Sequence, residues 1–300
     1  MRLLVVGREG QIARSLRESA ANENDLILQC IGRPDADLLR PGTVTAAILK
    51  FRPDIVVNAA AYTAVDKAED EPDLAFSINC NGAQEVAIAA ASCGVPIIHF
   101  STDYVFDGMK SSSYNEQDIP NPQNVYGHSK LAGERAVMSA NAQHLVLRTC
   151  WVYAPFGANF VGTVWRKLLE GQRLRIVNDQ TGCPTYAPDL AEATIALARR
   201  VMRFGWRPEY SGITHIAGPD ALNWHDFAQQ IASRYAAEAA ATSEIVAVSS
   251  SEYSARAIRP ANSRLSTRRL RTVFEIRLRP LQVSLDDCLD RISKEQGALR

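Results

Sequence analysis

The chain has 300 residues, with 33 Lys and Arg balanced by 33 Asp and Glu, so no bulk charge favours nucleic acid or an anionic membrane. An apolar content of 46% and a charged content of 22% are typical of a globular protein with a substantial core. The six cysteines form no C-x-x-C pair, which argues against zinc or a disulfide framework and favours buried free thiols.

The first half alternates short apolar strands with amphipathic helices. This rhythm indicates a parallel sheet covered on both faces. The predicted strands are Leu3–Gly7, Leu26–Ile31, Ile55–Asn58, Pro96–Ser101 and Leu145–Arg148, and the predicted helices are Gln11–Ala21, Val44–Phe51, Asp73–Ser92 and Tyr126–Ala140.

After Trp151 the alternation of strands and helices becomes less regular. We expect helices at Phe160–Leu169, Asp189–Phe204, Trp224–Ala237 and Leu285–Lys294, and strands at Leu174–Val177, His215–Ala217 and Ile245–Val248. The predicted fold class is α/β: a Rossmann-type doubly wound parallel sheet with a smaller C-terminal α/β substrate-binding lobe. Residues 1–150 would form the dinucleotide-binding domain, to which 186–209 return, and residues 151–185 and 210–300 would form the lobe.

Gly7-Arg-Glu-Gly10-Gln-Ile-Ala13 closes the first strand and opens the first helix. Gly7 permits the tight turn, and Gly10 lets the backbone approach a pyrophosphate at the helix N-terminus. Ala13 takes the place of the third glycine at the close contact between helix and strand. The motif predicts nucleotide binding.

The second strand ends Cys30-Ile-Gly-Arg33, without the carboxylate that usually binds the ribose 2′-hydroxyl of NAD. Arg33 could instead pair with a 2′-phosphate, which favours NADPH over NADH; the alternative is a solvated loop charge. Asp37 would either contact the adenosine or cap a turn.

Small residues follow the third strand in Asn58-Ala-Ala-Ala61-Tyr62-Thr63, where the backbone could lie against a cofactor with Tyr62 and Thr63 near its ribose and phosphates. Two charged stretches, the acidic run Asp66–Glu71 and the basic stretch Arg256–Arg271, have no assigned role, and the acidic run is interpreted as a solvated loop and helix start.

Tyr126 and Lys130 are separated by four positions, so on a helix their side chains share one face. A lysine ammonium there would favour the phenolate and make the tyrosine a usable proton donor near neutral pH. Thr102 ends the fourth strand on the crevice side of the sheet and could add a hydroxyl to this pair. Trp151, just beyond the fifth strand, could pack on a sugar or a base. The constellation predicts a carbonyl reductase.

Together these residues resemble the extended short-chain dehydrogenase/reductases, and within them the dTDP-4-dehydrorhamnose reductase family. The matching stretches are Gly7–Ala13, Arg52–Glu69, Ser101–Gly108, Asn124–Glu134, Leu147–Tyr153, Asn178–Thr185 and Arg259–Leu265. They span most of the chain in order.

The resemblance implies hydride transfer from a nicotinamide to the C4 carbonyl of a dTDP-linked 4-keto-6-deoxyhexose. Tyr126 would protonate the forming alkoxide, Lys130 would hold the nicotinamide ribose and lower the tyrosine pKa, and Thr102 would bond the substrate oxygen. It further implies that Gly10, Gln11 and Ile12 meet the pyrophosphate, that Asp37 and Leu38 lie by the adenosine, that Ala61, Tyr62 and Thr63 line the cofactor, and that Thr102, Asp103, Trp151 and Arg264 bind the substrate.

Two positions depart from the family pattern. Tyr62 stands where many members have histidine, and Pro188, followed by Asp189, stands where some have a glutamate that holds a dimer-bridging Mg²⁺. We therefore expect no metal site, with Mg²⁺ in doubt, and either a monomer or a homodimer.

Two alternatives within the fold are a non-catalytic NADP-binding regulatory subunit, as in methionine adenosyltransferase, and a nucleotide-sugar epimerase. The strand at the N-terminus and the absence of any long apolar run predict a cytoplasmic protein without a nucleic-acid or membrane partner. The resemblance points to rhamnose supply for lipopolysaccharide.

Overall fold

A computed structural model describes residues 1–21, 23–238 and 244–297. Its strands are β1 Arg2–Val6, β2 Ile27–Ile31, β3 Ile55–Asn58, β4 Ile97–Thr102, β5 His144–Thr149, β6 Val152–Tyr153, β7 Leu174–Val177, β8 Thr181–Gly182, β9 Thr185–Tyr186, β10 Gly212–His215, β11 Leu222–Asn223 and β12 Ile245–Val248.

The helices are α1 Gln11–Ala20, α2 Thr43–Phe51, α3 Val65–Ala68, α4 Pro72–Phe76, α5 Ala83–Ser92, α6 Val125–Ala140, α7 Phe160–Leu169, α8 Ala187–Phe204, α9 Trp224–Glu238, α10 Ser250–Tyr253, α11 Arg268–Phe274 and α12 Leu281–Gly297. Among the described residues, no helix is both long enough and apolar enough to cross a membrane.

Six strands form one parallel sheet in the order β10-β5-β4-β3-β1-β2. Successive strand residues point to opposite faces, and both faces are covered. Leu3 and Val57 lie in a core with residues of α1 and α8, whereas Leu4 and Val56 lie in a core with residues of α2 and α5. The expected doubly wound Rossmann-type sheet is confirmed.

A third core lies beyond the carboxyl end of the sheet. It joins β6, β7 and β9 with helices α7, α9 and α12, and β7 pairs with β12 in a small parallel sheet. Its buried members include Tyr153, Trp165, Phe227 and Leu289. These residues belong to the segments assigned to the C-terminal lobe, and the division into two domains remains a proposal.

Three predicted elements differ in the structure. The strand expected at His215–Ala217 is β10, Gly212–His215; it pairs with β5 in the large sheet, so this part of the expected lobe belongs to the sheet instead. Just after β10, the Ile216 amide still donates a hydrogen bond of 2.8 Å to the Arg148 carbonyl of β5. The closing helix starts at Leu281 instead of Leu285, directly after Pro280, which suits a helix start.

The third difference lies in the helix expected at Asp73–Ser92. It is interrupted by a π-helical segment at Ser77–Gly82. A Cβ on Gly82 would lie 2.8 Å from the Cβ of Leu38, so the glycine permits this close approach. The π-helical segment also turns Asn79 toward its partners Tyr62 and Ser129.

All six cysteines are free thiols, so the structure contains no disulfide between them. Cys150, Cys183 and Cys288 are buried as expected, whereas Cys30, Cys80 and Cys93 are only partly buried.

Candidate active site

A cavity of about 440 Å³ opens at the carboxyl ends of β1, β3, β4 and β5. In parallel α/β sheets this edge is where ligands bind. The predicted site residues that line it are Gly10, Gln11, Ile12, Ala61, Thr63, Thr102, Asp103, Tyr126, Lys130 and Trp151.

The first turns of α6 place Tyr126 and Lys130 on the wall of this cavity. Asn124 begins the helix, because its side-chain oxygen accepts a bond of 2.7 Å from the Gly127 amide. Thr102, at the end of β4, lines the same cavity near the Tyr126 phenol. The Lys130 ammonium donates to the Phe100 carbonyl at 2.7 Å. The fold thus brings together the three residues expected to be catalytic.

Burial dominates the ionisation of this group. It raises the pKa of the Tyr126 phenol, and the nearby Thr102 hydroxyl partly offsets the rise. Burial lowers the pKa of Lys130 to about 8, which the Glu134 carboxylate partly counteracts. The expected lowering of the Tyr126 pKa by Lys130 is not seen in this geometry. Tyr126 is accordingly protonated at neutral pH, the state that a proton donor requires.

The N-terminus of α1 forms the other wall. Gly7 has φ +131°, a value that L-residues rarely adopt, and its would-be Cβ would lie 3.3 Å from the Ala59 carbonyl carbon. Gly10 precedes the helix without any side-chain cap and has open space where a Cβ would be. The side-chain oxygen of Gln11 is buried without a hydrogen-bond partner. Unpaired amides at a helix N-terminus fit a dinucleotide pyrophosphate, whereas the orphaned Gln11 oxygen is an acceptor and suits a hydroxyl donor instead of the anion.

Tyr62 does not line the cavity, although Ala61 and Thr63 do. Its hydroxyl donates to Glu71 at 2.7 Å. Its amide donates to the side chain of Asn79 at 2.8 Å, and Asn79 in turn donates to Ser129 of α6 at 2.9 Å. Tyr62 therefore connects the loop after β3 to the helix that carries Tyr126.

Four more predicted cofactor residues do not line the cavity: Gly7, Arg33, Asp37 and Leu38. Arg33 is exposed just after β2. The Asp37 carboxylate accepts a hydrogen bond of 3.0 Å from the Leu39 amide and so caps a turn. This was one of the two roles expected for Asp37 from the sequence. Leu38 packs against Gly82. Contacts of Arg33, Asp37 and Leu38 with an adenosine or a 2′-phosphate stay predictions.

On the substrate side, Trp151 adopts φ 47° and stacks on Trp224 with a centroid distance of 3.4 Å. A Cβ on Gly182 would lie 2.3 Å from the Trp151 ring, so only glycine accommodates the indole. The guanidinium of Arg264 is outside the cavity lining and bonds to the side chain of Asn262 and the carbonyl of Ser111. Its contact with a substrate stays a prediction.

Asp103 is buried beside Thr102, whose hydroxyl donates to it at 3.1 Å. Burial raises the pKa of the Asp103 carboxyl to about 6, against the opposing hydrogen bonds of Ser263 and Thr102. The residue is thus close to its titration midpoint in mildly acidic solution.

A fully buried ion pair close to the proposed catalytic residues was not predicted from the sequence. Arg148 of β5 bonds to both carboxylate oxygens of Glu134 at 2.8 and 2.7 Å, and the Ser101 hydroxyl donates to the same carboxylate at 2.5 Å. Glu134 lies one turn after Lys130 on α6. The i, i+4 spacing of Lys130 and Glu134 was the available signal, because it places a carboxylate on the same helix face.

The position expected for a bridging metal does not fit magnesium. Asp189 is held by Arg279, with a distance of 2.7 Å from Nε to Oδ1, and Pro188 offers no side-chain ligand. Within the described ranges, no group of three or more His, Cys, Asp or Glu could hold a metal ion.

Comparison with known proteins gives a consistent result. The model of the RmlD substrate binding domain family matches residues 1–294. A dTDP-4-dehydrorhamnose reductase of Sinorhizobium fredii is 45% identical over 93% of this chain and 93% of its own length. One from Salmonella typhimurium is 40% identical over 92% and 93%. The solved structure of dTDP-4-dehydrorhamnose reductase from Bacillus anthracis in complex with NADP has a TM-score of 0.88 at 32% identity, covering 96% of this chain and 98% of that one.

Proposed function

Because the chain belongs to the RmlD substrate binding domain family, we propose that it is an NADPH-dependent dTDP-4-dehydrorhamnose reductase. It reduces the C4 carbonyl of dTDP-4-dehydro-β-L-rhamnose to give dTDP-β-L-rhamnose, the last step of dTDP-L-rhamnose synthesis. The observation that carries the proposal is the group of Thr102, Tyr126 and Lys130 in one cavity, facing the uncapped start of α1.

The cofactor supplies a hydride to the carbonyl carbon when it is bound. The amides at the start of α1, including those of Gln11 and Ile12, bind its pyrophosphate, and Ala61 and Thr63 line its further path. Arg33, exposed at the end of β2, takes the 2′-phosphate. Lys130 is buried beside Tyr126 and holds the nicotinamide ribose.

Tyr126 transfers its phenolic proton to the carbonyl oxygen as negative charge develops there. Its raised pKa keeps the proton on the phenol until an oxyanion, which is far more basic, is formed. The Thr102 hydroxyl, which donates to Asp103 in the free site, turns its single proton to the substrate oxygen and stabilises the charge that develops there. The C4–O double bond thereby becomes an alcohol with one hydride and one proton added.

The sugar lies between the catalytic group and the indole of Trp151, with Asp103 at its edge. Stacking of an apolar sugar face on the Trp151 ring orients C4, and the lobe beyond it, including Arg264, receives the dTDP moiety. The cytoplasm, where nucleotide sugars are made, is the proposed location. A monomer or a homodimer remains the proposed assembly, and the product supplies a rhamnose-containing polysaccharide such as lipopolysaccharide.

A regulatory subunit is less well supported, because all three proposed catalytic side chains are present and line one cavity. An epimerase would return the hydride to the sugar and leave the cofactor unchanged. Net oxidation of NADPH therefore separates the reductase from both alternatives.

The direct test follows absorbance at 340 nm with purified protein, NADPH and dTDP-4-dehydro-β-L-rhamnose. Stoichiometric loss of absorbance with formation of dTDP-L-rhamnose is expected. No oxidation with either NADPH or NADH would overturn the proposal, and parallel titrations with the two cofactors measure the preference for the 2′-phosphate.

A further inference from the structure

The acidic run and the basic stretch of the sequence are partners in space. Asp66 accepts two bonds from the guanidinium of Arg259, at 3.1 and 2.6 Å, and one from the Ala257 amide at 3.0 Å. Asp70 forms an ion pair with Arg256. Residues 256–259, which we call the clasp, are thereby fastened to the acidic run at α3 and just after it, about 190 residues earlier in the chain.

The clasp also contacts the start of the catalytic helix. The carbonyl of Ile258 accepts a bond of 2.8 Å from the side-chain amide of Asn124. The same Asn124 side chain caps α6 through its oxygen. One residue of the clasp is therefore bonded to the cap that lies two positions before Tyr126.

The acidic run contacts the same helix end from the other side. Glu69 accepts a bond of 2.8 Å from the amide of Val125, the residue directly before Tyr126. The first turn of α6 is thus held between the acidic run and the clasp, which Arg259 and Asp66 join to each other.

Tyr104 completes the connection from Arg259 to Tyr126. Burial raises the pKa of the Tyr104 phenol, and the nearby guanidinium of Arg259 opposes that rise. The Tyr104 ring meets the Tyr126 ring edge-on at a centroid distance of 5.6 Å. A Cβ on Gly127 would lie 2.2 Å from the Tyr104 carbonyl oxygen, so the turn carrying Tyr126 packs directly on the Tyr104 backbone.

We propose that Arg259, held by Asp66, is a positioning residue that fixes Tyr126 through Tyr104 and through the clasp on the α6 cap. It contacts neither the cofactor-binding amides nor the residues that bond to the carbonyl oxygen. The proposal rests on the proposed function for its effect on catalysis, but its effect on the helix can be measured without substrate.

The exposure of the pair separates positioning from simple stabilisation. The side chains of Arg259 and Asp66 are 23% and 48% exposed, and ion pairs with this access to water contribute little to stability. In contrast, a displacement of a catalytic group by about 1 Å strongly slows a reaction. Loss of the pair should therefore reduce turnover far more than it lowers the melting temperature.

Arg259→Gln and Asp66→Asn test this, with Arg256→Gln as the matched control. Arg256 makes the neighbouring ion pair between the same two segments, and its side chain is 58% exposed. We expect Arg259→Gln and Asp66→Asn each to lower kcat roughly 10- to 100-fold with an unchanged Kd for NADPH. Arg256→Gln should stay within about twofold of the wild type.

A double variant and two conservative substitutions test whether Arg259 and Asp66 act through a single interaction. Arg259→Gln with Asp66→Asn should be no slower than either single change, because both remove one interaction. Arg259→Lys should restore part of kcat, and Tyr104→Phe, which keeps the ring against Tyr126, should lower it less than Arg259→Gln. Equal kcat losses in Arg256→Gln and Arg259→Gln, or a loss confined to the melting temperature, would overturn the proposal.

Hydrogen exchange gives a readout that does not depend on turnover. Amides of residues 124–131 should exchange faster in Arg259→Gln than in the wild type or Arg256→Gln, with the remainder of the sheet unchanged. If the wild type fails to reduce the sugar but this local difference appears, the proposed function is wrong and the positioning role stands. Unchanged exchange in Arg259→Gln contradicts the positioning role.

Discussion

Lys130 donates its hydrogen bond to the carbonyl of Phe100, two residues before Thr102 on the same strand. The lysine that shares a helix face with Tyr126 therefore also ties that helix to the strand that carries Thr102, the third proposed catalytic residue. Its charge is buried, which lowers its pKa to about 8, and the carboxylate of Glu134 on the next turn opposes that lowering. The proposed catalytic groups on α6 and β4 are thus held by a bond between side chain and main chain as well as by packing.

Replacing Tyr126 with Phe should leave the fold and cofactor binding intact while removing the proton donor. We expect kcat to fall on the order of 10²- to 10⁴-fold. Stopped-flow measurement of NADPH oxidation gives the rate, and fluorescence titration with NADPH serves as the control for binding. A variant that retains more than a tenth of wild-type turnover would show that another group supplies the proton.

The buried Arg148–Glu134 pair predicts a large stability effect. In Glu134→Gln the Arg148 guanidinium, which is fully buried, loses its countercharge, and such losses cost about 3–5 kcal/mol in free energy of unfolding. Urea denaturation measures the change. The matched control is Glu244→Gln, which breaks the exposed Arg173–Glu244 pair and should cost no more than about 1 kcal/mol. Similar midpoints for the two variants would contradict the prediction.

Asp103 predicts a pH dependence of stability. Its folded pKa, about 6, lies above the ordinary 3.8, so the folded state binds the proton more tightly than the unfolded state does. The contribution of Asp103 to the free energy of unfolding is therefore fully present below about pH 4, and it is lost as the pH rises through about 6. Asp103→Asn should therefore be more stable than the wild type at pH 7, by roughly 2–3 kcal/mol, and should lose this advantage at pH 4. Melting curves at the two pH values measure it, and an advantage that is equal at both would refute the assignment.

Gly182→Ala should displace the Trp151 indole from Trp224, because the added Cβ would lie 2.3 Å from the ring. We expect a higher KM for the sugar, an altered tryptophan emission spectrum and an unchanged Kd for NADPH. Gly162→Ala is the control, since its nearest neighbouring atom would be 3.8 Å away and alanine favours the helix that contains it. An unchanged KM in Gly182→Ala would indicate that the indole does not contact the substrate.

Periodic patterns predicted most of the sheet and the shared helix face of Tyr126 and Lys130, because both depend on residues close together in sequence. The proximity of Thr102 to Tyr126 depended on the fold that brings β4 beside α6. The partners Arg148 and Asn79 have no local pattern, since each acts on a residue that is distant in sequence. Strand β10 was misplaced because four residues between lobe segments do not show which sheet they join.

The acidic run shows a different limit of prediction. Composition indicated a solvated loop, and several of its side chains are indeed partly exposed. Its partners, however, come from the far end of the chain and from the start of α6. The role of a run of charged residues can be assigned only when the structure shows which oppositely charged residues it contacts.

The order in which the cores can form has a consequence for biosynthesis. The core shared with α2 and α5 uses buried residues only up to Val137, but the core on the other face of the large sheet includes Phe274, and the core that starts at Tyr153 includes Ile292. These last two cores therefore cannot close until most of the chain has been synthesised. One face of the early strands keeps an incomplete covering until then, so truncation at the C-terminal end should impair folding.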